Sequence, residues 1–172
     1  MNRLIVFLLA VIMVLSMVGC GPSQEELQTD PDDIRISYDE ADEMYFRRSV
    51  LFETTAAYIY KDKGGFAQKN QGKDILLQID MQEEETEMRR VLNEYGFEGS
   101  TIDDFLTLIY DEQIQRIVWN SDDSIDYYLY DGYSVICCSE YMTQKEGQLA
   151  NAHVSSLDKN WFFLEAVSKI QF

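Results

Sequence analysis

The chain has 172 residues, 31 of them acidic against 14 basic, for a net charge of -17. So negative a chain is repelled by phosphate backbones, which sets nucleic acid aside as a partner. A 46% apolar and 13% aromatic content excludes a disordered acidic tail, and the length suits one domain with a real core.

Met1 to Cys20 reads MNRLIVFLLAVIMVLSMVGC: one basic residue, Arg3, then an unbroken apolar run from Leu4 to Leu15, then small or apolar residues up to Cys20. This is the order of a secretory signal, and the run is short for a membrane-spanning helix, which needs roughly 20 apolar residues. Met17-Val18-Gly19-Cys20 resembles the lipobox of bacterial lipoproteins, with Met17 in place of the usual leucine. The resemblance implies a diacylglyceryl group on the Cys20 thiol, cleavage before Cys20, and a membrane partner held through that lipid on the extracytoplasmic face. Gly21 to Ile36, with two prolines and many acids, reads as a flexible tether spanning roughly 20–25 Å. The expected division is therefore signal peptide 1–20, tether 21–36 and a single domain 37–172.

The domain opens with a helix predicted from Tyr38 to Asp62. Ser37 and Glu40 have the spacing of a capping box, the first turns are acidic, and Gly64-Gly65 supplies a left-handed stop. Met44, Leu51, Thr55, Tyr58 and Ile59 recur at helical spacing, widened by Tyr45, Phe52 and Ala56. Phe66 to Lys73 reads as a solvated basic loop, and Ile75 to Ile79 as a brief helical turn or an edge segment. A second helix is expected over Met81–Tyr95, stopped by Gly96 with Phe97 as its hydrophobic contact. A third, short helix follows, with Thr101 and Asp104 spaced as a capping box and Ile102, Phe105, Leu106 and Ile109 on one face.

From Gln113 the period changes from helical to alternating. Ile114–Asn120 is a predicted strand, followed by a turn at Ser121–Ser124. Asp131-Gly132 between Ile125–Tyr130 and Tyr133–Tyr141 is a strong hairpin signal. Its register pairs Leu129 with Ser134, Tyr127 with Ile136 and Ile125 with Cys138. Ile125, Tyr127, Leu129, Ile136 and Cys138 then share the core face; Asp126, Tyr128, Tyr130, Tyr133, Val135 and Cys137 share the other. Gln144–Gln148 is a polar loop, and a closing hairpin joins Ala150–Ser156 to Trp161–Val167. Helices first and strands second predict an α+β fold: two to three N-terminal helices on one face of an antiparallel sheet of four to five strands. This order resembles the cone-shaped cystatin-like or nuclear-transport-factor-like fold. The stretch Ile125–Trp161, with its Asp158-Lys159-Asn160-Trp161-Phe162 run, resembles small clostridial-type surface lipoproteins, a group with no common activity.

No catalytic motif stands out. His153 is the only histidine, and no zinc-ligand spacing accompanies it. Asn120–Asp126 alternates oxygen ligands, but Ile125 occupies the place where an EF-hand loop requires glycine. Cys137 and Cys138 are adjacent, which on a strand points them to opposite faces and favours two separate thiols. No cofactor, metal or catalytic residue is therefore assigned. Tyr128, Tyr130, Tyr133 and Tyr141 are the candidate ligand-binding residues, as an aromatic patch on the sheet's second face. The leading functional expectation is a lipid-anchored, non-enzymatic binding module for a surface protein or small molecule. The alternatives are a small hydrolase drawing acid/base carboxylates from Asp122–Asp131 in a cone-shaped pocket, and an immunity- or inhibitor-type lipoprotein that neutralises a basic partner.

Overall fold

The structure, a computed structural model, describes residues 34–61, 72–139 and 152–170. The signal peptide, the tether up to Asp33, most of the basic loop, Tyr141 and the Gln144–Gln148 loop lie outside the described residues. Helix α1 (Tyr38–Lys61) is followed by β1 (Ile75–Asp80), α2 (Glu85–Glu94), α3 (Ser100–Leu106), β2 (Arg116–Asn120), β3 (Ile125–Tyr128), β4 (Ser134–Cys138), β5 (Ala152–Asp158) and β6 (Trp161–Ala166). The six strands form one antiparallel sheet in the order β1-β2-β3-β4-β6-β5. The fold is α+β, with six strands instead of the expected four to five. None of the described helices is long and apolar enough to cross a membrane.

The start of α1 is the capping box read from the sequence. The Ser37 N–H and hydroxyl both donate to Glu40 Oε2 at 2.8 Å, and the Glu40 N–H returns a 3.3 Å bond to Ser37 Oγ. These bonds, the one from the Ser37 amide foremost, hold the Glu40 carboxyl below its ordinary value. The helix breaks at Arg48, whose φ of -120° and ψ of 15° are not helical. Tyr45, Phe52, Ala56 and Ile59, expected at the margin or inside the stripe, are its fully buried centre, while Met44, Leu51 and Tyr58 pack half-buried beside it.

Phe52 is wholly buried and sits 5.1 Å from the Tyr127 ring and 5.7 Å from Trp161; Tyr45 is 5.3 Å from Trp161. The Tyr127 hydroxyl lies 3.0 Å from Thr55 Oγ1, whereas the buried Tyr45 hydroxyl of the same aromatic cluster has no hydrogen-bond partner among the described residues. Burial pushes the Tyr127 phenol well above its ordinary range.

Ile75–Asp80 is the edge segment of the two readings and not the helical turn: it is a strand paired antiparallel to β2, with an irregularity between Ile75 and Leu77. The second helix begins at Glu85 and not Met81, since the Met81 N–H continues the sheet by donating to the Gln115 carbonyl at 2.8 Å. Gly96 (φ 92°) ends it as expected, and Phe97 turns in against Phe105, 4.7 Å away. The Thr101–Asp104 capping box does not form. Gly99, at φ 56°, precedes the first turn of α3, and no side chain caps it. Only glycine adopts such a conformation without strain. The helix then widens into a single π turn over Thr107–Asp111, a rare form often associated with local constraints.

That constraint is visible one residue on. Glu112 is buried and receives Arg47 Nη2 at 2.6 Å and Arg48 Nε at 2.7 Å, tying the break in α1 to the exit from the π turn. Burial alone would raise the Glu112 carboxyl, but the two guanidinium hydrogen bonds more than reverse it and hold it below the usual 4.5. A depressed folded-state value means stability that is present above 4.5 and fades as pH falls through the lower folded-state value. Because both arginines keep partial contact with water, Glu112→Gln is expected to cost about 1–3 kcal/mol at neutral pH. The gap between variant and parent in urea unfolding should narrow as the pH is taken below 4.5. A gap that does not change with pH would contradict this account.

The hairpin register is the one the sequence predicts, with Ile125 opposite Cys138 and Tyr127 opposite Ile136. The strands are shorter than expected, ending at Tyr128 and resuming at Ser134, because Asp131 converts the tip into a hydrogen-bonded hub. Its Oδ1 accepts from the Tyr133 and Ser134 amides at 3.0 and 2.9 Å, and its Oδ2 accepts from Ser134 Oγ at 2.6 Å and the Ile36 amide at 2.9 Å. Ile36 is thereby buried and the Arg35 guanidinium sits 4.1 Å above the Tyr133 ring. Packing therefore starts at Arg35, two residues inside the expected tether. The far end of the domain reaches the same tip, where the Ile170 amide donates to the Gly132 carbonyl at 2.8 Å.

Candidate functional site

Of the acids in the Asp122–Asp131 region, Asp122 and Asp131 are built into turns and Asp126 into strand β3. Asp122 Oδ1 accepts from the Ser124 amide and hydroxyl at 3.0 and 2.6 Å, Asp126 Oδ2 from Asn120 Nδ2 at 2.8 Å, and Asp131 is the hub just described. Asp126 and Asp131 are 3% and 7% exposed, so neither faces a substrate-sized space. Among the described residues no three histidine, cysteine or acidic side chains converge on a point that would hold a metal ion.

The tyrosines separate. Tyr130 stands 42% exposed beside the hairpin tip, whereas Tyr133 is 8% exposed with its ring face occupied by Arg35. Tyr128 is half-buried on β3, and burial, with Asp126 adding to it, pushes its phenol far up. Tyr141 lies outside the described residues. Tyr128 belongs to an apolar cluster on the sheet's second face, centred on buried Val135, Cys137 and Leu164 and ringed by half-buried Val154, Phe162 and Ile170. Neither Cys137 nor Cys138 is in a disulfide: Cys137 is fully buried in this cluster and Cys138 half-buried against the main core. Adjacent strand positions point to opposite faces, as expected.

Two clefts of about 340 and 360 Å³ open elsewhere on the surface. The first lies at the end of β1 between Asp80, Glu83 and Arg116, and the second between Lys61, Tyr95 and Glu98. Arg116 in the first is ion-paired to Asp80, and neither cleft pairs a nucleophile with a base. Phe46 and Val50, on either side of the Arg48 break in α1, are 83% and 70% exposed.

The two edges of the sheet are the most unequal features of the molecule. On β1 the Gln78 and Asp80 carbonyls are capped, as is that of Gln82 just past its end. The Tyr95 hydroxyl donates to the Gln78 carbonyl at 2.6 Å, Gln82 Nε2 to that of Asp80 at 3.0 Å, and the Tyr110 hydroxyl to that of Gln82 at 2.9 Å. Such blunting is how proteins keep an edge from pairing. On β5, register decides which groups face out. The Ala166 amide donates to Tyr133 and the Ser139 amide to Asn160, so the even-numbered residues of β6 bond to β4 and the odd-numbered ones to β5. Ser155 and His153 are then the hydrogen-bonded partners of Phe163 and Glu165, and Val154 and Ser156 turn their amides and carbonyls away from the sheet. The Tyr38 hydroxyl confirms this direction by donating to the Ser156 carbonyl at 2.9 Å. The Val154 amide and carbonyl and the Ser156 amide have no partner among the described residues. Along the strand Val154 is half-buried and Ser156 exposed, and no described strand lies beyond this edge.

This edge carries more acid than base, with Lys159 the exposed cation at its end. Asp158 is exposed at its end, and Tyr38 brings the first turn of α1, with Asp39 and Glu40, beside it. Sequence reasoning placed the strand but not its open side, because which edge is free depends on β6 inserting between β4 and β5. No protein-family model matches the chain, and no curated protein or solved structure is significantly similar to it.

Proposed function

We propose that the protein is a lipid-anchored, extracytoplasmic binding module that works by presenting a surface and not by catalysis. The anchor rests on Met17-Val18-Gly19-Cys20 after an apolar run with a single basic residue before it. The observation that carries the binding reading is the commitment of the domain's buried carboxylates: Glu112 to two arginines, Asp126 to Asn120, Asp131 to three amides and a hydroxyl. Carboxylates spent in this way hold turns and are not poised as acid and base. What is left for function is surface, chiefly the β5 edge, with half-buried Val154 and Phe162 of the second face beside it.

The anchor is tested by intact-mass spectrometry of the chain expressed in a host that processes lipoproteins. The mature protein should start at Cys20 and carry an added diacylglyceryl mass, and Cys20→Ala should remain unlipidated and uncut. A parent chain without acyl mass, processed like the variant, would remove the anchor from this reading.

A further inference from the structure

The open stretch of β5 has the makings of a pairing site. In an antiparallel sheet, a residue whose amide and carbonyl both face outward offers a partner strand two hydrogen bonds at one position. Val154 is such a residue, and the Ser156 amide extends the same row by one donor. The row stops there, because Tyr38 already occupies the Ser156 carbonyl. A strand laid along this edge would place alternate side chains on the two faces of the sheet. Those on the second face would extend the apolar cluster of Val154, Phe162 and Leu164. Those on the helix side would meet the acidic first turn of α1, and the strand would run past Asp158. With a chain charge of -17, an acidic segment or a second copy of this chain meets like charge at this edge, and a cationic one is drawn to it.

We propose that the open edge of β5 is a strand-addition site for an extended segment of a partner protein in which apolar and cationic residues alternate. Main-chain bonds to Val154 and Ser156 supply the pairing, the apolar face supplies register, and the acidic surroundings select the charge. The proposal rests on the binding-module reading but not on the lipid anchor: it is tested on the chain in solution, so a failed anchor and a failed edge give separate results.

The probe is a synthetic octapeptide of alternating lysine and valine, with its glutamate–valine counterpart as control. The cationic peptide should bind saturably, weaken as salt is raised, and slow amide hydrogen exchange at Val154 and Ser156. The acidic one should not bind. Val154→Pro removes an amide that β5–β6 pairing does not use, so thermal unfolding should shift little while affinity falls at least tenfold. Should that variant fail to fold, two N-methylated peptides decide the matter on the unaltered chain. In the proposed register the valine amides face β5, so methylating them should abolish binding, and methylating the lysine amides should leave it. Equal binding of both methylated peptides would mean adhesion by charge alone and overturn the proposal. So would no saturation up to about 1 mM, a range in which even weak complexes with a few bonds register. Protection of Val154 that rises with protein concentration in the absence of peptide would assign the edge to a second copy and also overturn it.

Discussion

Phe52→Ala is expected to cost about 3–5 kcal/mol, the usual loss for truncating a buried aromatic. Phe52 is fully buried and touches three other rings, Tyr45, Tyr127 and Trp161, that join α1 to β3 and β6. Removing it leaves a cavity walled by rigid aromatics on three different elements, which cannot collapse as a cluster of leucines would. Domains of this size are stable by only about 5–15 kcal/mol, so the variant should unfold at markedly lower urea concentration. Trp161 emission should shift towards that of a more open site. Phe46→Ala is the control: the same residue type on the same helix, 83% exposed, expected to change stability by about 0.5 kcal/mol or less. Equal losses from the two substitutions would refute the placement of α1's buried face.

Asp131→Ala should cost about 3–5 kcal/mol as well, by a different route. Its carboxylate accepts four hydrogen bonds, three of them from the backbone amides of Ile36, Tyr133 and Ser134. Truncation leaves those donors buried without an acceptor, and a buried unsatisfied donor costs about 1–3 kcal/mol. The losses are not additive, because the Arg35–Ile36 segment is expected to detach and rehydrate. Hydrogen exchange distinguishes the cases: protection at Ile36 should be lost first, with the β4–β6 pairing retained. Asp131→Asn keeps one acceptor oxygen and should fall between parent and alanine. Protection at Ile36 that survives the alanine substitution would show that this segment is held by packing and not by Asp131.

Local chemistry made much of the fold readable. The Ser37–Glu40 box, the Gly96 stop and the Asp131-Gly132 turn are satisfied by residues within a few positions of one another, so spacing alone predicts them. The hairpin register follows from the turn, and the β3–β4 pairs fell where alternation puts them. Where local signals were balanced, partners decided. Ile75–Ile79 is a short apolar run compatible with helix or strand, and β2 made it a strand. Thr101 and Asp104 had cap spacing, but the chain enters α3 through Gly99 at a positive φ, leaving that box unformed. Arg35 and Ile36 looked like tether because the residue that holds Ile36 is 95 positions away.

Taken by itself, the sequence determined the class of fold, the facing of the hairpin residues and the acidic character of the chain, all consequences of period, turn residues and charge. The lipid address also comes from sequence, as an expectation carried by four residues. Tertiary structure alone decided that β6 lies between β4 and β5, which leaves Val154 and Ser156 on a free edge while tyrosine hydroxyls cap β1. It alone decided that Tyr133 lies under Arg35 while Tyr130 stays in solvent. Alternation assigns a side chain to a face of a sheet, but what covers that face, and which strand ends the sheet, is set by contacts between segments far apart in the chain.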